Sequence, residues 1–394
     1  MLGRLAEQPA DKILSLMQDL AADPRGDKLD LGVGVYRDDA GITPVMGAIK
    51  QAELALWEVQ KSKSYTGLAG DPAFAAALGD LVLGDAAGRD RRAAIATPGG
   101  TGAVRQGLEL VGLAAPEATV WVPEPTWPNH LSILAHLGRP HRTYRYYDPA
   151  TGAVDADGMA ADLAGLAKGD VLLLHGCCHN PTGADPDMTL WERIAEILSE
   201  RGAIPMVDLA YQGFGDGLDA DVAGLRHLAR QLPEMLIATS CSKNFGLYRE
   251  RVGLLVALAP DAATARRAQG TLEHLNRQNY SFPPDHGARL VTMVLTDRPL
   301  RNAWQQELAH MRDRIRDLRG TLAEELRRQT NSDRFDGLAA QKGMFSRLPA
   351  TPEQVATMRR DHGIYMVGDG RVNLAGLSTK TVPQLARAMV AAGL

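Results

Sequence analysis

Ser240-Cys241-Ser242-Lys243-Asn244-Phe245-Gly246-Leu247-Tyr248-Arg249-Glu250-Arg251-Val252-Gly253 is the stretch from which the rest of the chain is read. It sets one lysine among small hydroxyl residues, eight positions before Arg251 and just after the apolar run Met235-Leu236-Ile237-Ala238. Such a run, bounded by polar residues, predicts a buried strand, with Lys243 at its end. A buried amine loses solvation, its pKa falls, and it becomes a nucleophile near neutral pH. Schiff-base chemistry needs such an amine. Ser240, Ser242 and Arg251 supply hydroxyl donors and a guanidinium fork, a set that suits a phosphate. Lysine, phosphate binders and glycines together point to pyridoxal phosphate. The plain alternative is a surface lysine on an ordinary loop.

Working outward, the same kind of apolar run recurs. Val120-Trp121-Val122, Asp170-Val171-Leu172-Leu173-Leu174-His175, Ile204-Pro205-Met206-Val207-Asp208 and Leu236-Ile237-Ala238-Thr239 read as buried strands. Helical stretches such as Leu190 to Leu198 separate them. This alternation predicts an α/β fold with a largely parallel sheet. Sites in such sheets sit at the carboxyl ends of the strands, where His175, Asp208 and Lys243 fall. A charge-rich amphipathic helix over Arg298 to Arg328 (Leu308, Met311, Ile315, Leu318 and Leu322 at helical spacing) leads into shorter mixed elements. It reads as the connection to a smaller domain.

Length and charge bound the function. The 394 residues are 45% apolar and 23% charged, ordinary for a globular enzyme. A formal net charge of −4 argues against general nucleic-acid binding. No apolar run approaches the ~18 residues of a membrane span. The stretch Met1 to Pro9 lacks the apolar core of a secretory signal. Cys177, Cys178 and Cys241 form no spaced framework, which fits a reducing, cytoplasmic setting.

Other segments carry chemistry. Pro98-Gly99-Gly100-Thr101-Gly102-Ala103 opens a helical stretch, and glycines there let backbone N–H groups approach a phosphate. His175-Gly176-Cys177-Cys178-His179-Asn180-Pro181-Thr182-Gly183 invites a zinc reading on His175, Cys177, Cys178 and His179. Its spacing is poor for one ion, and Asn180-Pro181-Thr182-Gly183 reads instead as a turn fixing an amide. Asp208-Leu209-Ala210-Tyr211 puts a carboxylate at a strand end, where a pyridine nitrogen finds a partner that keeps it protonated. A helix-capping aspartate is the alternative. Trp127 offers an aromatic face, and Arg277 and Arg371 are candidates for substrate carboxylates.

These segments, in this order, resemble the class I, fold-type I aminotransferases of the aspartate and aromatic amino acid subgroup. Matches run from Leu31-Gly32-Val33-Gly34-Val35-Tyr36 to Arg371-Val372-Asn373-Leu374-Ala375-Gly376, so nearly the whole chain is covered. The resemblance implies a large domain with a mostly parallel seven-stranded sheet flanked by helices, plus a smaller α/β domain. The expected division is an amino-terminal arm with part of the small domain over 1–44, the cofactor-binding domain over 45–310 and the small domain over 311–394. It also implies roles. Lys243 holds pyridoxal phosphate as a Schiff base and carries the proton. Asp208 pairs with the ring nitrogen, Tyr211 and Asn180 with the phenolate oxygen, and Trp127 stacks on the ring. Gly100, Thr101, Ser240, Ser242 and Arg251 hold the phosphate, with Tyr65 reaching it from the other subunit of a homodimer. Arg371, Asn180 and the Gly34 backbone take the α-carboxylate; Arg277 of the other subunit meets a side-chain carboxylate. His130 and His175 support Asp208.

Ser64 and Phe282 depart from the asparagines of aspartate-specific relatives, in positions expected beside Arg277. A small and an aromatic residue there favour aromatic donors alongside acidic ones, with 2-oxoglutarate as acceptor. Aspartate-specific transamination is the runner-up. Another pyridoxal-phosphate enzyme, a non-catalytic binding protein on the same fold, and the zinc protein are the remaining alternatives.

Overall fold

A computed structural model describes residues 1–7 and 12–394. Gln8 and Pro9, part of the stretch read for a secretory signal, lie outside the described residues. The chain forms two compact units. The first is Met1–Thr43, Ile315–Ala340 and Met344–Leu394; the second is Pro44–Arg314 with Gln341–Gly343.

The second unit is built on a seven-stranded sheet. Its strands are β1 (Arg92–Pro98), β2 (Val120–Glu124), β3 (His141–Arg145), β4 (Val171–His175), β5 (Ile204–Leu209), β6 (Met235–Ser240) and β7 (Val252–Leu258). They lie in the order β1-β7-β6-β5-β4-β2-β3. β7 alone runs against its neighbours β1 and β6, and the other pairings are parallel. Every residue of β4, β6 and β7 is buried. Strands covered on both faces read as unbroken apolar runs, so β2, β4, β5 and β6 were legible as they stand. β3 is not, because it lies at the sheet edge and only Tyr144 is buried. That tyrosine donates to the Leu173 carbonyl at 2.9 Å.

The helices that matter to the site are α1 (Gly47–Val59), α2 (Gly99–Ala114), α3 (Pro128–His136), α4 (Met188–Arg201), α5 (Ala262–Asn279) and α6 (Arg298–Thr330). Leu108 and Val111 of α2, Ile133 and Leu134 of α3 and Leu272 of α5 pack with Ile95, Val120, Leu173, Met206 and Leu255 of the sheet into one core. Each buried aliphatic side chain of this kind stabilises the fold by roughly 1.5–3 kcal/mol. Parallel order brings the ends of β1, β2, β4, β5 and β6 to one edge, and Val252, which pairs with Pro98, starts β7 there. In the first unit, Phe345–Arg347 (β8) pairs antiparallel with Arg371–Asn373 (β9). The fully buried Arg319 donates to the Phe345 carbonyl at 3.2 Å beneath them. Among the described residues no helix is long and apolar enough to cross a membrane.

The turn after β6 is fixed from below. Trp304 of α6, fully buried, stacks on Phe245 with centroids 4.5 Å apart and donates its indole N–H to the Asn244 carbonyl at 2.6 Å. Trp304→Phe keeps most of the stack but leaves that carbonyl unbonded. A buried acceptor without its donor costs about 1–3 kcal/mol, so the urea midpoint of this variant is expected to fall accordingly. An unchanged midpoint contradicts the assignment.

Candidate active site

Backbone geometry decides the floor of the site. Gly99 begins α2 at φ 73°, a left-handed conformation in which a side chain is strained. A Cβ there meets the Arg251 guanidinium at 2.5 Å, and a Cβ on Gly100 meets that of Ser240 at 2.9 Å. Gly99, Gly100, Ser240 and Arg251 are therefore in contact around the start of α2. That helix has no side-chain cap and no acidic residue in its first turn. An open helix N-terminus, a serine hydroxyl and a guanidinium form a cradle suited to an anion such as a phosphate. Thr101 lies in that first turn, and Ser242 is buried two residues past Ser240, its N–H donating to the Ser240 hydroxyl at 3.3 Å.

Lys243 is only half-buried. The expectation of a fully buried amine is corrected, because β6 ends at Ser240 and the lysine stands in the turn beyond it. Its Nζ lies 4.8 Å from the centre of the buried Tyr211 ring. Asp208 is buried. It sits in register with His175 on one side and Ala238 on the other. Its Oδ2 is 3.0 Å from His130 Nε2, across 78 residues of chain. Burial pushes the Asp208 carboxyl up. The His130 hydrogen bond and the positive charge of His130 and Lys243 outweigh it and hold the group below the usual carboxylate range. Asp208 therefore stays ionised inside the sheet edge rather than capping a helix.

The hydrogen bonds continue away from Asp208. His130 Nδ1 is 2.8 Å from the Thr126 hydroxyl, which is 3.2 Å from His175 Nε2. All three are buried. Thr126 escaped the sequence reading; its one signal is its place four residues before His130, where the start of α3 turns both toward β5. Trp127, at the N-cap of α3, has its ring edge-on to His130, centroids 5.1 Å apart. Asn180, also buried, precedes Pro181 through a cis peptide bond.

The zinc reading fails on geometry. His175 bonds Thr126, and His179 Nδ1 bonds the Thr182 hydroxyl at 2.8 Å. Among the described residues, the ligating atoms that come together are those of Cys177, Cys178 and Asp221, without either histidine.

Two other groups stand by themselves. In the first unit Arg371 is buried, donates to the Gly32 carbonyl at 2.9 Å and lies over the Phe345 ring at 4.5 Å. The same ring closes off Gly34, where a Cβ meets Phe345 at 2.9 Å. Phe345 carried no sequence signal. In the second unit Arg277 is exposed and donates to the Ser281 hydroxyl at 2.7 Å. Tyr65 is 85% exposed, its ring centroid 4.7 Å from that of Phe282. Ser64 bonds only to Ser62 among the contacts described for it, its hydroxyl accepting at 3.0 Å.

His175 makes the site sensitive to acid. Burial first, then the neighbouring charge of His130, lowers its pKa from 6.5 to about 3, against the weaker pull of Asp208. In the unfolded chain it takes a proton below about 6.5. The folded value is depressed, so its stabilisation is complete above about pH 6.5 and is lost as pH falls toward 3. His175→Gln is expected to blunt this loss. In denaturant titrations between about pH 7 and pH 4.5, the wild type should lose stability faster than the variant, by at most roughly 1.4 kcal/mol per pH unit. Parallel losses in the two proteins refute a neutral buried His175.

Comparison with known proteins places this geometry. The profile of aminotransferase class I and II matches residues 26–389. The chain is 55% identical to an aromatic-amino-acid aminotransferase of Paracoccus denitrificans over 394 residues, covering 100% of both. It is 41% identical to an aspartate aminotransferase of Escherichia coli, over 99% of this chain and 100% of that one. A solved aromatic amino acid aminotransferase with 3-indolebutyric acid superposes with TM-score 0.98 at 55% identity, over 100% of both chains. An aromatic-amino-acid aminotransferase from Burkholderia pseudomallei, covalently bound to pyridoxal phosphate, does so with TM-score 0.97 at 37% identity, covering 100% of this chain and 99% of that one.

Proposed function

We propose, since this chain belongs to aminotransferase class I and II, that it moves amino groups from aromatic and acidic amino acids to 2-oxoglutarate with pyridoxal phosphate as cofactor. The observation that carries this reading is the convergence of an anion cradle, a lysine and an ionised buried aspartate at one sheet edge. When bound, pyridoxal phosphate supplies the electron sink for breaking a bond at the substrate α-carbon. The chain's own residues do the rest. Gly100, Thr101, Ser240, Ser242 and Arg251 hold the phosphate. Lys243 would hold the cofactor covalently and would carry the proton at the α-carbon. Asp208, kept charged by His130, holds the proton on the ring nitrogen. Tyr211 and Asn180 contact the phenolate oxygen, and Trp127 covers the ring. Arg371, with Asn180 and the Gly34 backbone, takes the α-carboxylate.

The reading includes a homodimer, with Tyr65 and Arg277 serving the partner's site, and a cytoplasmic setting. In support of the dimer, α1 leaves Leu54, Trp57 and Val59 exposed at 68%, 81% and 60%, far more apolar surface than one helix normally shows to water. In support of aromatic donors, Phe282 packs against Tyr65, and Arg277 is tied to a serine rather than an amide. The retained Arg277 and the 41% identity to an aspartate aminotransferase keep the aspartate-specific reading as the alternative.

Two experiments test this. Purified protein is assayed with a panel of donors and 2-oxoglutarate, scoring glutamate. Phenylalanine, tyrosine, tryptophan and aspartate are expected to react, and Lys243→Ala to lose several orders of magnitude, since positioned acid–base groups alone supply roughly 10²–10⁴. Turnover of aspartate alone selects the alternative, and full activity in Lys243→Ala removes the whole reading.

Arg277→Leu separates the two donor classes. A lost charge-assisted pair to a desolvated carboxylate costs about 2–5 kcal/mol, or roughly 30-fold to several thousand-fold. kcat/KM for aspartate should drop by that factor while the value for phenylalanine changes little. Equal losses show that Arg277 does not read the side chain.

A further inference from the structure

Two thiols lie side by side behind the turn that carries Asn180, and the proposed reaction uses neither. Cys177 and Cys178 follow β4 after Gly176, and both are buried. Their side chains hydrogen-bond to each other. With one Asp221 oxygen, the two sulfurs lie within 4.8 Å of one another. This trio has the composition of a cation site, but Asp221 is already saturated. Its Oδ2 accepts the N–H groups of Gly213 and Gly215 at 2.7 and 2.9 Å, and its Oδ1 those of Asp216 and Gly217 at 2.6 and 3.3 Å. Four donors occupy the roughly four lone-pair positions of a carboxylate. What remains reactive in the group is the pair of sulfurs.

The surroundings favour chemistry between them. Cys178 holds φ 52°, a left-handed conformation that is costly for a residue with a side chain. It is kept there by Asp185, which accepts the N–H groups of Cys178 and His179 at 2.7 and 2.9 Å. A cavity of about 260 Å³ opens beside the pair, lined by Cys177, Asp185, Trp191, Asp216 and Lys342 among others. It admits a small polar oxidant. On the other side Gly343 leaves Cys178 no spare room: a Cβ on that glycine meets the Cys178 Cβ at 2.3 Å. The Cys178 sulfur also lies 4.0 Å from the Tyr211 carbonyl oxygen.

We propose that Cys177 and Cys178 are a redox pair, closed by hydrogen peroxide to a vicinal disulfide and reopened by a dithiol, and that closure shifts the turn from Cys178 to Asn180. One sulfur attacks a peroxide oxygen, the O–O bond breaks, and a sulfenic acid and one water result. The second thiol attacks the sulfenic sulfur, forms the S–S bond and expels a second water. The two sulfurs give up two electrons in all, and peroxide takes both. Adjacent Cα atoms are about 3.8 Å apart across a trans peptide. Ordinary disulfides span roughly 4.4–6.8 Å, so this ring is strained and readily reduced. Its hydrogen bond to Cys178 and burial push the Cys177 thiol up, which makes thiolate scarce at neutral pH and closure slow. Closure draws the Cys178 sulfur off its seat between Gly343 and the Tyr211 carbonyl, and the strain passes along the backbone to Asn180. The effect on activity rests on the proposed roles of Asn180 and Tyr211; the closure itself does not.

The test uses the holoenzyme as purified. Samples are treated with excess hydrogen peroxide, quenched with an alkylating reagent, digested, and the peptide holding both cysteines is weighed. The expected product has lost two hydrogen masses, carries no alkyl group on either sulfur, and reverts with dithiothreitol. Transaminase activity should fall in proportion to the closed fraction and return on reduction. Cys177→Ser and Cys178→Ser should each abolish the mass change; if either fails to fold, the wild-type mass measurement decides alone. Oxygen gained on a single sulfur, a bond to Cys241, or two thiols still alkylated after exhaustive treatment overturns the pair. A closed disulfide with full activity overturns the shift of the turn.

Discussion

A carboxylate has to stay charged inside a parallel sheet, and the site is arranged around meeting that demand. Asp208 lies on β5 between β4 and β6, on strands that are buried and mostly apolar. An isolated carboxylate there takes up a proton, because burial penalises the ion far more than the acid. The hydrogen bond from His130 reverses this balance. His130 in turn needs a fixed ring, and Thr126 and His175 hold it through its other nitrogen. Four side chains from the ends of β2, α3, β4 and β5 thus act as one electrostatic unit. Removing one disturbs the protonation of the next, which is how buried polar networks behave in a low dielectric.

The lysine obeys the opposite logic. It has to be reachable, so it stands in a turn at the rim rather than in the strand, half in water. Its position is set instead by what lies beneath it. Trp304 grips the Asn244 carbonyl, and the Phe245 ring lies flat on the indole. A mobile, ionisable side chain on a rigid backbone anchor can change partners without the turn moving. Asp208 has the reverse design, an immobile charge whose surroundings are fixed on every side.

Arginine chemistry is distributed in the same spirit. Arg251 closes the anion cradle against the glycines of α2, where no other side chain fits. Arg371 is sandwiched between a carbonyl and an aromatic face, a setting that keeps a buried guanidinium planar and aimed. Arg277 is exposed and donates to the Ser281 hydroxyl.

Much of this was legible in the chain itself. Strands buried on both faces appear as continuous apolar runs, so β2, β4, β5 and β6 could be found by composition alone. The Lys243 segment, the glycines before α2 and the aspartate at the end of β5 are short-range patterns, and short-range patterns survive in a linear sequence. What the chain could not reveal depends on distance through space. The reversed direction of β7, the half-exposure of Lys243, the link from Asp208 to a histidine 78 residues away, the Thr126 relay and the role of Phe345 are decided by which segments meet. The zinc reading failed for the same reason. Adjacent positions in sequence suggested one ligand set, while packing gave each histidine a threonine and left the two sulfurs to each other. Residue types fix what chemistry is available, but burial and partnership set the charge each group carries, and those arise only when the strands close side by side.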